Sequence, residues 1–130
     1  MLKSLFDDDE LRKLSQDKLY ERLIDCYRMR VEDEFVWGGN AMGLHAEEDP
    51  VEGFMDFLKL AEEKKGVLPD WWSMDKKQEC VNLGSKRNGW SSLHHTIEKS
   101  EVMEHYNDNF MPMNLRILAE RIYGKPIGAL

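Results

Sequence analysis

The chain has 130 residues, of which 42% are hydrophobic and 10% aromatic, and it contains two cysteines. That length is enough for one hydrophobic core without disulfide bonds, and the composition excludes a chain dominated by disorder. No apolar run approaches the roughly 18 residues of a membrane-spanning helix, and no basic-then-apolar leader opens the chain. We therefore expect an intracellular protein, cytoplasmic or nuclear, in which Cys26 and Cys80 are buried thiols.

The formal net charge is −7, and the whole imbalance lies in the first half of the chain. Residues 1–65 hold 17 acidic and 10 basic side chains, whereas residues 66–130 hold 8 of each. Phosphate backbones and anionic lipids repel such a surface, so we expect no nucleic-acid partner and no membrane partner. Residues 1–14, with the run Asp7-Asp8-Asp9-Glu10, are expected to form an acidic tail or a short helix, and residues 15–130 a single helical domain.

Helical periodicity is strongest over residues 16–35, with Ser15 as the expected N-cap. Its apolar stripe consists of Tyr20, Leu23, Ile24, Tyr27, Val31 and Phe35. Gly38-Gly39-Asn40 ends this helix, and a polar loop follows to residue 49.

Two further helices are marked by capping residues. Asp49 and Pro50 predict a helix that runs to about residue 65, with a core face of Phe54, Phe57, Leu58 and Ala61. Ser73 is the expected cap of a helix over residues 74–84, whose inward side chains are Cys80, Val81 and Leu83.

The last third of the chain predicts two more helices. A weaker pattern runs from Leu93 to about Tyr106, and Pro112 opens a final helix that Gly124 ends. The apolar stripe of the final helix is Leu115, Leu118, Ala119 and Ile122. Because strand periodicity persists nowhere, the expected fold class is all-α, a compact globule of five or six short helices with long ordered loops.

Residues that could carry chemistry are scattered. A zinc site needs closely spaced ligand pairs, but the cysteines are single and the four histidines, of which His94 and His95 are adjacent on a predicted helix, fall on different segments. The acidic runs at 32–34 and 47–49 suit solvated helix ends. We expect no enzyme, no metal and no cofactor. The alternative is a small hydrolase or transferase that uses Cys80 and a histidine.

Aromatic and methionine side chains are the candidates for protein binding. Trp71 and Trp72 are adjacent in a connector, and neighbouring indoles cannot both face one core direction, so one is expected at the surface. The other candidates are Trp37, Trp90, Met111 and Met113, the two methionines flanking a proline. A protein partner of unknown identity is predicted. The alternative is a structural subunit of a larger assembly.

Several segments together resemble a known family. They are Tyr27-Arg28-Met29-Arg30-Val31-Glu32-Asp33-Glu34-Phe35, Asp49-Pro50, Gly53-Phe54, Phe57-Leu58, Gly66-Val67-Leu68-Pro69, Trp71-Trp72, Glu98-Lys99-Ser100, His105-Tyr106, Met111-Pro112-Met113-Asn114-Leu115-Arg116 and Leu118-Ala119-Glu120-Arg121-Ile122-Tyr123-Gly124. Over about residues 17–124 the set resembles the region that accompanies the zinc finger in fungal MYND-type zinc-finger proteins. The resemblance implies a non-enzymatic adaptor or regulatory context. The finger itself is absent here, because the chain lacks its cysteines, and no zinc ligand carries over.

The resemblance also implies that the charged residues from 28 to 34 form a patterned cluster. Arg28 with Glu32 and Arg30 with Glu34 are spaced as i,i+4 pairs, each worth about a few tenths of a kcal/mol in a solvated helix. The sequence therefore predicts helix stabilisation, and nothing more, from this cluster.

Overall fold

The computed structural model describes residues 10–129. This range contains six α-helices and one 3-10 helix, joined by loops. The helices are α1 (Glu10–Lys13), α2 (Gln16–Val36), α3 (Pro50–Glu63), α4 (Met74–Ser85), α5 (Lys99–Tyr106) and α6 (Met111–Tyr123), and the 3-10 helix (Gly43–Ala46) precedes α3. That range contains no strand, which confirms the all-α prediction. The predicted acidic residues Asp7, Asp8 and Asp9 lie outside the described residues.

Helix α2 is buried over most of its length and packs most extensively against α6. Its predicted stripe is buried from Tyr20 to Val31, but Phe35 is 51% exposed. Phe35 lies in the last turn of α2, beyond the core, and its ring stacks on the imidazole of His45 at a centroid distance of 4.0 Å. The stripe prediction is therefore wrong at its final position, where about half of the side chain is open to solvent.

The predicted caps of α3 and α4 are confirmed. The Asp49 carboxylate accepts a hydrogen bond from the backbone N–H of Val51 at 2.9 Å, and Pro50 occupies the first turn of α3. The Ser73 hydroxyl accepts one from the N–H of Lys76 at 3.3 Å. In α4, Cys80 and Val81 are buried as expected, whereas Leu83 is only half-buried.

The prediction of a helix from Leu93 to Tyr106 is wrong in its first half. Residues 93–97 form turns and extended backbone, so His94 and His95 do not lie on a helix. The carbonyls of Ser92 and His95 accept hydrogen bonds from the Arg28 guanidinium, which holds this segment against α2 in an irregular conformation. Helix α5 begins later, where the Glu101 carboxylate accepts the backbone N–H of Glu98 at 2.9 Å.

The final helix follows its prediction closely. Pro112 lies in the first turn of α6, and Gly124 ends the helix in the left-handed region at φ +71°. Leu115, Leu118, Ala119 and Ile122 are all buried against α2 and the rest of the core. Burial of this stripe supplies the hydrophobic contact that positions α6.

Candidate protein-binding surface

The adjacent residues Trp71 and Trp72 face different environments. The Trp72 ring packs edge-on against Tyr20 at a centroid distance of 6.4 Å, and its indole N–H donates to Glu62 at 2.8 Å. Trp71 is 38% exposed and lines an open groove of about 350 Å³ together with Arg12, Lys13, Pro69 and Asp70. Trp72 therefore fastens the connector to α2 and α3, and Trp71 is the accessible ring of the pair.

Trp90 is an internal anchor rather than an open contact. Its ring stacks on His105 at 3.9 Å, and its indole N–H donates to the Asp25 carboxylate at 2.7 Å. Both interactions occupy groups that a partner would otherwise meet. Trp90 is half-buried, and it connects its own loop to α2 through Asp25 and to α5 through His105.

The two candidate methionines of α6 differ in their exposure to solvent. Met111 belongs to the buried core, so it is not accessible to a partner in this structure, whereas Met113 is 47% exposed. Two positions along a helix differ by about 200° in direction, which explains the separation.

Trp37 is the most exposed tryptophan in the described part of the chain, at 73%. It follows the last residue of α2, next to the exposed Phe35 and Val36. Three consecutive bulky apolar residues cannot all face one core, and this signal in the sequence identifies the exposed end of α2. The prediction selected Trp37 but placed Phe35 in the core.

An ion pair joins this end of α2 to the outer face of α6. The Arg116 guanidinium binds the Asp33 carboxylate through two hydrogen bonds, Nε–Oδ2 at 2.9 Å and Nη2–Oδ1 at 3.0 Å. Side chains three and four positions apart are neighbours on a helix surface. Val36 and Trp37 therefore lie beside Asp33, and Met113 lies beside Arg116.

The exposed apolar residues at the end of α2 and along the outer row of α6 thus lie on the two sides of the Asp33–Arg116 pair, as one candidate surface. We name it the α2–α6 surface, and it consists of Phe35, Val36, Trp37, Phe110, Met113 and Ile117, all of them exposed. The spacing of the three α6 members, three and then four residues, places them on one row of that helix. Sequence analysis did not select Val36, Phe110 or Ile117, since a prediction of burial could not distinguish them from core residues.

Behind this surface, α2 carries charged side chains that are almost fully buried. Arg28 does not pair with Glu32 as predicted. It binds Asp25 at 2.7 Å and donates to the carbonyls of Trp90, Ser92 and His95. Glu32 instead contacts the His45 ring at 2.8 Å. The Arg28 guanidinium therefore fixes the irregular segment from 90 to 95 onto α2.

Arg30 and Glu34 do form the predicted pair, but within the protein interior rather than in solvent. Arg30 Nε binds Glu34 Oε2 at 2.7 Å, and Arg30 Nη2 donates to the carbonyls of Lys125 and Pro126 at 2.8 Å each. Both side chains are buried. A prediction of a few tenths of a kcal/mol is therefore wrong for this pair, because breaking a buried pair leaves an uncompensated charge.

Asp25 is the buried carboxylate that most resembles an acid/base catalyst. Burial raises its pKa above the ordinary value, against the lowering effect of Arg28, Tyr106 and Trp90. The side chain has no solvent exposure, and those same three residues donate hydrogen bonds to it. Asp25 therefore connects α2 to α5 and to the loop at Trp90, and its buried carboxylate is not placed to contact a substrate.

Both cysteines lack the surroundings of a nucleophile. Burial raises the pKa of the Cys26 and Cys80 thiols well above the ordinary value, which favours the unreactive protonated form. Cys26 donates to the carbonyl of Leu115. The ring nitrogens of His94 and His95 contact the carbonyls of Ser85 and Arg87.

Across residues 10–129, no three His, Cys, Asp or Glu side chains are grouped so as to hold a metal ion. None of the helices in that range is long and apolar enough to cross a membrane. Comparisons with protein-family models, with characterised proteins and with solved structures find no match to this chain.

Proposed function

We propose that this chain is a non-enzymatic protein-interaction module, adaptor or regulatory in role, and that the α2–α6 surface is where its partner binds. The observation that carries the proposal is the exposure of Trp37, whose side chain is 73% accessible at the end of the most buried helix. Tryptophan is among the residues that contribute most to binding at protein interfaces. Exposed apolar groups that share one face of a small protein are typical of such interfaces.

The way the surface is held supports the same proposal. Asp33 is buried, and its bidentate contact with Arg116 fixes α2 relative to α6 directly beneath the exposed side chains. Rigid presentation lowers the ordering cost of association, since little backbone freedom remains to be lost. The resemblance to the region that accompanies a MYND finger points to an adaptor role as well.

The other hypotheses find less support in the geometry. A thiol-dependent enzyme needs an accessible thiolate, whereas Cys80 is buried and its pKa is raised. A structural subunit would bury the tryptophan connector against a neighbour, and Trp72 is already packed against Tyr20 within the chain. Trp71 and its groove remain a second accessible aromatic site, which makes Trp71 the natural control position.

The test is site-specific photo-crosslinking in cells that contain the natural partner. A photoreactive residue replaces Met113 in one variant and Met55 in another, because Met55 is also exposed but lies on α3. We expect a discrete crosslinked protein from position 113, absent from position 55. The Trp37→Ala substitution should abolish that product, and Trp71→Ala should leave it in place.

Thermal melting of each variant shows whether the fold is intact. If folded Trp37→Ala protein keeps the crosslink, or if position 55 gives the same product as position 113, the α2–α6 surface is not the binding site. If Trp71→Ala alone removes the crosslink, the partner binds at the groove.

A further inference from the structure

Carboxylates lie beside the α2 end of the α2–α6 surface. Glu32 lies three positions before Phe35 and four before Val36, so its side chain is their neighbour on α2. The His45 ring stacks on Phe35 and contacts Glu32, which brings the 3-10 helix to the edge of the surface. Glu47 and Glu48 follow His45 by two and three residues, and both are exposed.

A further carboxylate lies at the α6 end. Glu120 is exposed, and it is three positions after Ile117 and four after Arg116 on the same helix. Arg116 itself is neutralised by Asp33. Lys125 is exposed and Arg121 lies four positions after Ile117, so the excess of carboxylates lies at the α2 end of the surface and not at the α6 end.

The acidic character extends behind the 3-10 helix. Burial is the main reason that the pKa of the Tyr27 hydroxyl is raised to about 12, and the negative charges of Glu48, Asp56 and Asp49 act in the same direction. These three carboxylates therefore lie close enough to α2 to act on the hydroxyl of Tyr27.

We infer that the partner of the α2–α6 surface is a positively charged amphipathic segment, in which large apolar side chains stand next to lysine or arginine. This inference rests on the proposed function and names the chemistry of its partner. Apolar side chains would cover Trp37, Val36 and the row on α6. The flanking cations would face Glu32, Glu47 and Glu48, within the distance over which charges at ordinary salt act on one another.

The experiment uses two designed helical peptides as probes, with the same length and the same leucine positions. One carries lysine and the other glutamate at all polar positions. Fluorescence anisotropy of the labelled peptides, titrated with the full chain, gives their affinities at about 0.05 and 0.5 M salt, across which charge screening increases strongly. We expect the lysine peptide to bind at least about tenfold more tightly at low salt and to lose most of that advantage at high salt.

Matched variants locate the effect. The double substitution Glu47→Gln with Glu48→Gln should weaken binding of the lysine peptide by about threefold at low salt and have little effect at high salt. Glu63→Gln with Glu104→Gln removes two exposed carboxylates on α3 and α5 and reduces the net negative charge by the same amount. This control should bind like the parent chain.

Equal binding of the two peptides, or an equal effect of the two double variants, would overturn the inference. The Trp37→Ala variant distinguishes that failure from a failure of the proposed function. If Trp37→Ala weakens binding of either peptide but charge has no effect, the surface stands and its partner is not cationic. If Trp37→Ala binds both peptides as the parent does, the surface itself is rejected.

Discussion

The carboxylate of Glu34 accepts a hydrogen bond from the backbone N–H of Gly128 at 3.0 Å, although the two residues lie 94 positions apart. The same carboxylate accepts hydrogen bonds from Arg30 at 2.7 Å and from the Asn40 side chain at 2.9 Å. One buried carboxylate thus connects the end of α2 to the loop at 40 and to the segment after α6. The space beside it is tight, since a Cβ added at Gly38 would lie 2.5 Å from Glu34 Oε1.

The ionisation of Glu34 should make stability depend on pH. Burial alone would raise its pKa, but hydrogen bonds from Asn40, Arg30 and Gly128 outweigh burial and lower the pKa below its ordinary value of 4.5. Its contribution is therefore present above the ordinary pKa and is lost as the pH falls through the lowered one. We expect Glu34→Gln to be less stable than the parent at pH 7, and the gap to narrow between about pH 5 and pH 3.

Urea unfolding at a series of pH values measures that gap. Asp25, whose pKa is raised, is present in both proteins, so its opposite contribution cancels in the difference. Glu63→Gln, at an exposed position, is the control and should differ from the parent by less than about 0.5 kcal/mol. A gap for Glu34→Gln that stays constant over the acid range would contradict the prediction.

Arg28 should control the order of the segment from 90 to 95. Lysine keeps the charge of Arg28, but its single ammonium cannot reach Asp25 and the carbonyls of Trp90 and Ser92 together. We expect Arg28→Lys to cost about 2–4 kcal/mol and to speed hydrogen exchange in that segment more than in α3. Exchange measured by mass spectrometry tests this, and equal acceleration in both regions would show that Arg28 acts only on global stability.

The pair Gly53 and Tyr27 offers a test of packing. A Cβ at position 53 would lie 2.2 Å from the Tyr27 hydroxyl oxygen, a buried group with no hydrogen-bond partner among the described residues. Gly53→Ala should therefore destabilise the parent by about 1–3 kcal/mol through overpacking. In a Tyr27→Phe background the same change should cost much less, because the closest contact of the Cβ is then the ring carbon Cζ at 3.2 Å and alanine is the better helix former by about 1 kcal/mol.

A double-mutant cycle from chemical unfolding measures the coupling between the two positions. Tyr27→Phe alone should be close to neutral, since it removes a hydroxyl that has no partner. Additive effects of the two substitutions would mean that the hydroxyl does not limit the space at position 53.

The inner face of α6 should carry much of its contribution to stability. Leu118 is buried, and Leu118→Ala should cost about 2–5 kcal/mol, as truncation of a buried leucine does. The neighbouring Ile117 is exposed, so Ile117→Ala should change stability by less than about 1 kcal/mol. Melting curves of the two variants decide the phase of the helix, and similar losses for both would show that Ile117 is also part of the core.

Local features of the sequence were sufficient to predict most helices. Asp49 and Ser73 bond to backbone groups two and three residues away, and Gly124 ends α6 through its own backbone geometry. The buried stripe of α6 follows from helical spacing within one segment. These interactions involve neighbours in the chain, so the residues themselves contain the information that predicts them.

The tertiary structure alone decided the surroundings of the charged cluster and the position of the exposed apolar residues. Arg28 meets the carbonyl of Trp90 across 62 positions, and Arg30 meets that of Lys125 across 95. Whether a charge on α2 faces solvent or the interior depends on which distant segment covers it, and helical spacing is the same in both cases. For the same reason, Phe35 and Trp37 are surface residues, because the described segments that meet the end of α2 leave at least half of each side chain exposed.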